Sequence, residues 1–274
     1  SLSFRSRPKS LINVLEHSLG ITYAILRAAE FRKNPPLNIH AVWATGPASA
    51  AFFLHLMNGT RFSMGSHAYD LFRNGGDMML LEKSRATNFI HTSTCLARDE
   101  MIKRGINSKK IHLIRRSAPT LVEPKRDNHF SEDRPIRILS VGRLIEKKGY
   151  PELLKILRYF NSIDIRYSAV IIGDGPLRGT LEQYLTDSGL KKNVTLLGGM
   201  PNEEVENFMR ESADLFFFTG KETASGDRDG LPNVIIESMA AGLPVLASPS
   251  GAVNEAIQAG ITGELLDTSK PETW

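Results

Sequence analysis

The sequence predicts an α/β protein of two domains in series, each built on a parallel sheet covered by helices, with a cleft between them. Three observations carry this. Through residues 136–267, short apolar runs of strand length alternate with segments of helical period. A less regular form of the same alternation fills the first half. Between the halves lies "LVEPKRDNHFSEDRP", residues 121–135, which is polar, holds two prolines and has no apolar period. The expected division is therefore 1–120, a linker over 121–135, and 136–274.

In order along the first half, "NIHAVWATG" reads as a strand and "PASAAFFLHLMNG" as the helix after it. "RFSMGSHAYD" reads as a strand running into a loop, and "LLEKSRATNFIHTST" and "IHLIRR" continue the alternation. His40 and Trp43 are expected to be packing residues.

In the second half, "IRILSVG" is a buried strand, and "PELLKILRYF" a helix with Pro151 suited to its first turn. "YSAVIIGDGP" is the next strand, and "LRGTLEQYLTDSG" a helix ended by Gly189. "NVTLLGG" is a third strand. "NEEVENFMRES" is a helix with Asn202 as its expected N-cap. "ADLFFFTG" is a fourth strand, "PNVIIESMAAG" a helix, "PVLASPSG" a fifth strand, "NEAIQAG" a short helix and "GELLD" a sixth strand. In such sheets ligands bind beyond the carboxyl ends of the strands, where the notable motifs fall.

The chain's 274 residues, 41% hydrophobic and 23% charged, have the balance of a soluble globular protein. Its one cysteine, Cys95, excludes an internal disulfide and fits a reducing compartment. No apolar run approaches the roughly 18 residues that span a bilayer. The opening stretch carries no secretory-signal core or cleavage site. A cytoplasmic location is the expectation. The net charge of +4 divides unevenly: residues 1–133 hold 19 basic and 11 acidic residues, the remainder 15 and 19. A basic first half suits an anionic membrane surface, an acidic substrate or merely solvent. Without an aromatic-plus-basic platform, nucleic acid is not an expected partner.

Two constellations carry chemistry. In "GDRDGLPNVIIESMAAG", Gly230 and Pro232 begin a helix whose free N–H groups at Asn233 and Val234 suit a phosphate. Asp229 and Glu237 flank that start with seven residues between them. Glu237 lies about 7.5 Å along the axis from Pro232 at about 1.5 Å per residue. The two carboxylates can accept hydrogen bonds from the sugars at either end of a nucleotide-sugar. Glu237 stands among apolar and small residues, an expensive setting for a carboxylate without a task. In "VGRLIEKKGYPELL", Arg143 and Lys148 lie in the turn that leaves a strand, placed to neutralise a diphosphate. Lys147 reads as a solvated neighbour.

Together these stretches, with "IIGDGPLRGTLE", "VTLLGGMPNEEV" and "LPVLASPSGAVNEAI", resemble the donor domain of the retaining GT-B glycosyltransferases of family 4, over nearly all of 136–267. The run from "HAVWATG" to "SRATNFI" is similar to that family's acceptor domain, with the nearest likeness to exopolysaccharide and colanic-acid enzymes. The resemblance implies two Rossmann-like domains with parallel sheets facing across a cleft. It implies transfer of a hexosyl unit from a UDP- or GDP-sugar to a glycan or lipid-linked acceptor, with retention and without an essential metal or cofactor. By position, Arg143 and Lys148 would bind the diphosphate, Glu237 the ribose, and the backbone at Gly199 and Met200 the base. Asn233 and Val234 would hold phosphate. Asp229 stands where the family has glutamate and would meet the transferred sugar, one methylene shorter. His67 in "GSHAYD" matches a histidine on the donor-sugar side. For Asp70, capping the following turn competes with catalysis. Asp227-Arg228-Asp229 is not expected to hold a metal.

The family's first strand and glycine-rich acceptor loop, and its final helices, are not found within the chain, so a fragment is expected. A sugar-nucleotide 2-epimerase and a non-catalytic nucleotide-sugar-binding module remain rivals. A dinucleotide oxidoreductase is disfavoured, since "GDGPLRG" lacks the G-x-G-x-x-G spacing.

Overall fold

The computed structural model describes residues 11–118 and 133–274. The expected linker, 121–135, lies outside the described residues as far as 132. The described chain divides into two compact units. One runs to Arg115 and takes in Ala224–Gly230; the other holds Arg116–Thr223 and Leu231–Trp274.

The first unit opens with α1 (Leu11–Lys33), to which the sequence pattern assigned no element. Then come β1 (Ile39–Ala41), α2 (Gly46–Asn58) and β2 (Phe62–Gly65). α3 (Ala68–Phe72), α4 (Leu80–Ala86), β3 (Ile90–Thr92), α5 (Cys95–Lys103) and β4 (Ile111–Leu113) complete it. Its four strands are parallel in the order β1-β2-β3-β4. Residues Phe62 to Gly65 of β2 are all buried, the mark of a strand covered on both faces rather than an alternating one. Phe52, Phe62, Met64, Ile90 and Met101 form the core. α2 has Pro47 in its first turn and stops at Gly59, whose left-handed backbone returns its N–H to the His55 carbonyl. α1 packs on α2 through Gly20, where a Cβ would lie 2.4 Å from the Gly46 carbonyl oxygen. The buried face of α1 is Asn13, His17, Gly20 and Ala24, polar and small.

The second unit alternates without a break. β5 (Ile136–Val141), α6 (Tyr150–Ser162), β6 (Tyr167–Ile172), α7 (Arg178–Asp187) and β7 (Val194–Gly198) form its first half. α8 (Asn202–Glu211), β8 (Leu215–Phe218), α9 (Asn233–Ala240), β9 (Val245–Ala247) and β10 (Gly263–Leu265) form its second. All six strands are parallel, in the order β10-β9-β8-β5-β6-β7. Strand order reverses between β5 and β8, which makes the carboxyl ends of those two strands the switch point of a doubly wound sheet. β8 feeds both faces: Phe217 packs with Leu153, Leu157 and Phe160 of α6, while Phe216 and Phe218 pack with Met209 and Ile235.

Several sequence expectations need correction. "NEAIQAG" forms only a 3₁₀ turn over Val253–Glu255, too short a segment between Gly251 and Gly260 to nucleate a helix. The N-cap of α8 is Pro201, whose carbonyl accepts from the Val205 N–H at 3.1 Å, and Asn202 is already helical. Pro232 is extended (φ −64°, ψ 132°) and precedes α9 rather than opening it. "HAYD" winds into α3 instead of continuing as a loop. The packing expected of His40 and Trp43 is present but at an exposed edge: His40 lies against His91 (ring centroids 5.1 Å apart) and Trp43 against His67 (5.4 Å), at the sheet's edge strand and past its end.

Candidate functional site

In the second unit, β5 ends at Val141 and the chain turns over Gly142 and Arg143 into a 3₁₀ turn, Glu146–Lys148, before α6. The Tyr150 hydroxyl donates to the Gly142 carbonyl at 2.8 Å and pins the start of this turn. Gly149 pins its end. Its φ is +67°, and a Cβ there would lie 1.7 Å from the Thr219 carbonyl oxygen. The Thr219 hydroxyl in turn donates to the Gly149 carbonyl at 2.8 Å. The turn after β5 is thus fastened directly to the end of β8, across the switch point.

Arg143 is exposed, and its guanidinium makes no hydrogen bond or ion pair with a described residue. The Lys148 ammonium lies 5.4 Å from the centroid of the Phe218 ring, over the end of β8. α9 begins beyond the same strand. Asn233 and Val234 supply first-turn N–H groups that have no acceptor within their own helix. The Arg116 guanidinium donates to Asn233 Oδ1 at 2.8 Å, which brings a cation to this helix start. Sequence reasoning missed Arg116. The signal was available, since it follows a strand in "IHLIRR" much as Arg143 follows β5.

Glu237 lies one turn into α9, half-buried. Burial, and the like charge of Glu206 on α8, push its carboxyl above the usual range. No hydrogen bond or ion pair joins that carboxylate to a described residue. Gly199 and Met200 follow β7 at the sheet's far edge, about 10 Å from β5 at about 4.8 Å per strand. Gly199 is exposed, while Met200 packs against the core under α8.

The remaining candidates belong to the first unit. His67 is the residue before α3, with its ring edge-on to Trp43 (centroids 5.4 Å apart) and to His91 (5.3 Å). Asp229 and Gly230 come to the same place. A Cβ on Gly230 would touch Ala68, the residue after His67, at 3.7 Å, and Thr94 at 3.8 Å. The segment is held by the Asn74 N–H donating to the Ser225 carbonyl and by the Arg228 guanidinium 3.9 Å over the Phe72 ring. Among the described residues no cluster of three or more His, Cys, Asp or Glu side chains is arranged to hold a metal ion.

Asp70 is fully buried and accepts from the His67 N–H at 2.8 Å and the Thr45 N–H at 3.3 Å. It therefore closes the start of its own helix, α3, by holding the residue before it, rather than capping a following turn as its sequence position suggested. Burial pushes its carboxyl up to about 7 against these hydrogen bonds. Beside it, Lys83 is 0% exposed and donates to Asp77 Oδ2 (2.8 Å) and to the carbonyls of Ala44 (2.6 Å) and Thr45 (3.2 Å). Nothing in the sequence marked Lys83 or Asp77, since a lysine in "LLEKSRA" reads as a solvated helix residue.

Comparison with known proteins adds the following. The sequence profile of the family described as "Glycosyl transferases group 1" matches residues 122–274. The chain is 34% identical over 169 residues to the amylovoran biosynthesis glycosyltransferase AmsK of Erwinia amylovora, covering 61% of this chain and 40% of that protein. It is 31% identical over 132 residues to the putative colanic acid biosynthesis glycosyltransferase WcaL of Escherichia coli K12, covering 48% and 32%. The chain thus spans less than half the length of these curated relatives. Among solved structures, it is similar to Anabaena HepE in complex with UDP-glucose, with a TM-score of 0.71 and 16% identity over 91% of this chain and 71% of that one. At that identity the likeness speaks for the fold, two Rossmann-like α/β units of the GT-B type.

Proposed function

Since this chain belongs to the group 1 glycosyl transferases, we propose that it moves a hexosyl unit from a nucleoside-diphosphate sugar to an acceptor hydroxyl. One observation carries the reading. The turn after β5, bearing Arg143 and Lys148, is fastened to the end of β8 at the switch point, and α9 begins beyond that same strand. Two cations and a helix amino terminus at the carboxyl ends of neighbouring strands suit a diphosphate.

In this reading Arg143, Lys148 and the N–H groups of Asn233 and Val234 grip the diphosphate. Glu237 takes the ribose hydroxyls, and the backbone at Gly199 and Met200 the base. In the first unit, His67 and Asp229 with Gly230 serve the transferred sugar. As the bond from the anomeric carbon to the diphosphate oxygen breaks, charge builds on the leaving group, and Arg143 and Lys148 offset it. The acceptor oxygen attacks from the same face, its proton passes to the departing diphosphate, and configuration is retained. No step needs a metal. The acceptor is a glycan or a lipid-linked sugar, in keeping with relatives named for amylovoran and colanic acid biosynthesis. A cytoplasmic protein meeting the inner membrane face through its basic half would reach the latter.

The test uses the full chain with UDP and GDP as probes in calorimetry and UDP-glucose and GDP-mannose in turnover, with and without a chelator. Arg143→Ala and Lys148→Ala should each weaken binding of the preferred nucleotide by about tenfold or more. The chelator should change nothing. Unaltered affinity in both variants would remove the diphosphate assignment.

A further inference from the structure

The buried polar group of the first unit joins, through one peptide, the loop after β1 to the loop after β2. Thr45, at the end of the first loop, is gripped from both sides. Its carbonyl accepts from the Lys83 ammonium at 3.2 Å, and its N–H donates to Asp70 Oδ1 at 3.3 Å. The other oxygen of Asp70 accepts from the His67 N–H at 2.8 Å, in the second loop. Lys83 spends its remaining donors on the Ala44 carbonyl at 2.6 Å and on Asp77 Oδ2 at 2.8 Å. Asp77 is itself fixed, since Oδ1 accepts from the Met79 N–H at 2.9 Å and Oδ2 lies 3.3 Å from His17 Nε2 on α1. All three ammonium protons are used, and both carboxylates accept at each oxygen.

A core needs none of this. Replacing a buried ion pair by apolar residues of similar volume is commonly neutral or stabilising, and breaking one by removing a partner is costly. What such a group supplies is fixed geometry, because hydrogen bonds constrain direction where apolar packing does not. Its outputs here are the backbone at Thr45, two residues past Trp43, and the backbone of His67. The Trp43 and His67 rings meet edge to face, centroids 5.4 Å apart, past the ends of neighbouring strands.

We propose that Asp70 and Lys83 are positioning residues for His67: by holding Thr45 between them and the His67 N–H directly, they set the direction in which the imidazole is presented. The inference rests on the reading that gives His67 the transferred sugar, and extends it to residues that touch no substrate. Asp77 anchors Lys83, and His17 closes the group against α1.

The experiment uses the full chain, with histidine-labelled NMR for the His67 ring and amide and with nucleotide release from UDP-glucose and GDP-mannose for turnover. Asp70→Asn keeps the shape but replaces one acceptor by a donor. Lys83→Met keeps the volume without the charge. Either variant, folded by circular dichroism, should shift the His67 ring and amide resonances. Each should lower kcat by about tenfold or more, with the donor KM within about twofold, because misaimed groups lose rate rather than ground-state binding. In a His67→Ala background, Asp70→Asn should cost less than about twofold more, as expected of residues acting through one another. A folded Asp70→Asn protein whose His67 resonances stay in place overturns the proposal, and so does a loss that multiplies on top of the His67→Ala loss. Wild-type turnover in His67→Ala overturns instead the role given to His67, a separable result. If Lys83→Met does not fold, Asp70→Asn decides alone; if neither donor turns over, the resonances decide.

Discussion

His17 and Asp70 sit in one buried group and answer pH in opposite directions. Burial, with Lys83 nearby, lowers the His17 imidazole to about 4. Its neutral form is therefore favoured in the folded chain. The stability it contributes is present above its unfolded value near 6.5 and is lost as pH falls from there through 4. Asp70, raised to about 7, does the reverse: its contribution is full below the unfolded value near 3.8 and is lost as pH rises through 7. Each therefore masks the other between pH 4 and 6.5. His17→Gln keeps a hydrogen-bonding side chain and removes one slope. Relative to wild type, that variant should gain on the order of 2 kcal/mol between pH 6.5 and 4, a figure discounted for residual solvent. Urea melts at the two pH values measure it, and a constant difference between the proteins would refute it. At this scale the sequence spoke selectively. Glu237 could be singled out as a candidate because an acid among apolar neighbours breaks the local pattern, and Arg143 and Lys148 by their place in a turn that leaves a strand together with the family resemblance. Lys83, Asp77 and His17 violate nothing in the sequence, and only the tertiary packing removes them from water.

Among the elements, most of the second unit was readable because its helices bury apolar stripes and its strands are unbroken apolar runs; the starts of α8 and α9 and the 3₁₀ turn in "NEAIQAG" were the exceptions. α1 was not, for a physical reason. Its buried positions are Asn13, His17, Gly20 and Ala24, while Leu11, Leu15, Leu19 and Leu26 are exposed. A helix whose packed face is polar and small has an inverted pattern, and no periodicity of apolar residues betrays it. The most exacting element junction is the one between the turn after β5 and the end of β8. Gly149→Ala would put a methyl group 1.7 Å from the Thr219 carbonyl oxygen at a left-handed backbone position. It should destabilise the second unit by about 2 kcal/mol or more, combining overpacking with the left-handed penalty. It should also weaken UDP or GDP binding as the turn moves off β8. A variant with wild-type melting and wild-type nucleotide affinity would show that the junction is not what holds the turn.

For the molecule as a whole, charge divides with sequence: +8 over residues 1–133 and −4 over the rest. Among the described residues no helix is long and apolar enough to cross a membrane. In the proposed reading, contact with a lipid-linked acceptor draws on the basic residues of 1–133. We expect co-sedimentation with phosphatidylglycerol vesicles that weakens between low and physiological salt, and little with phosphatidylcholine. Equal partition onto both lipids would refute this. Lys83 offers a whole-molecule measurement of another kind. An amine shut away from solvent behind Asp77 and two carbonyls cannot meet an acylating reagent until the first unit opens. Reagents that label surface lysines within minutes should leave this one unmodified, so the slow gain of mass on its peptide becomes a clock for rare excursions out of the native state, read without any substrate at all.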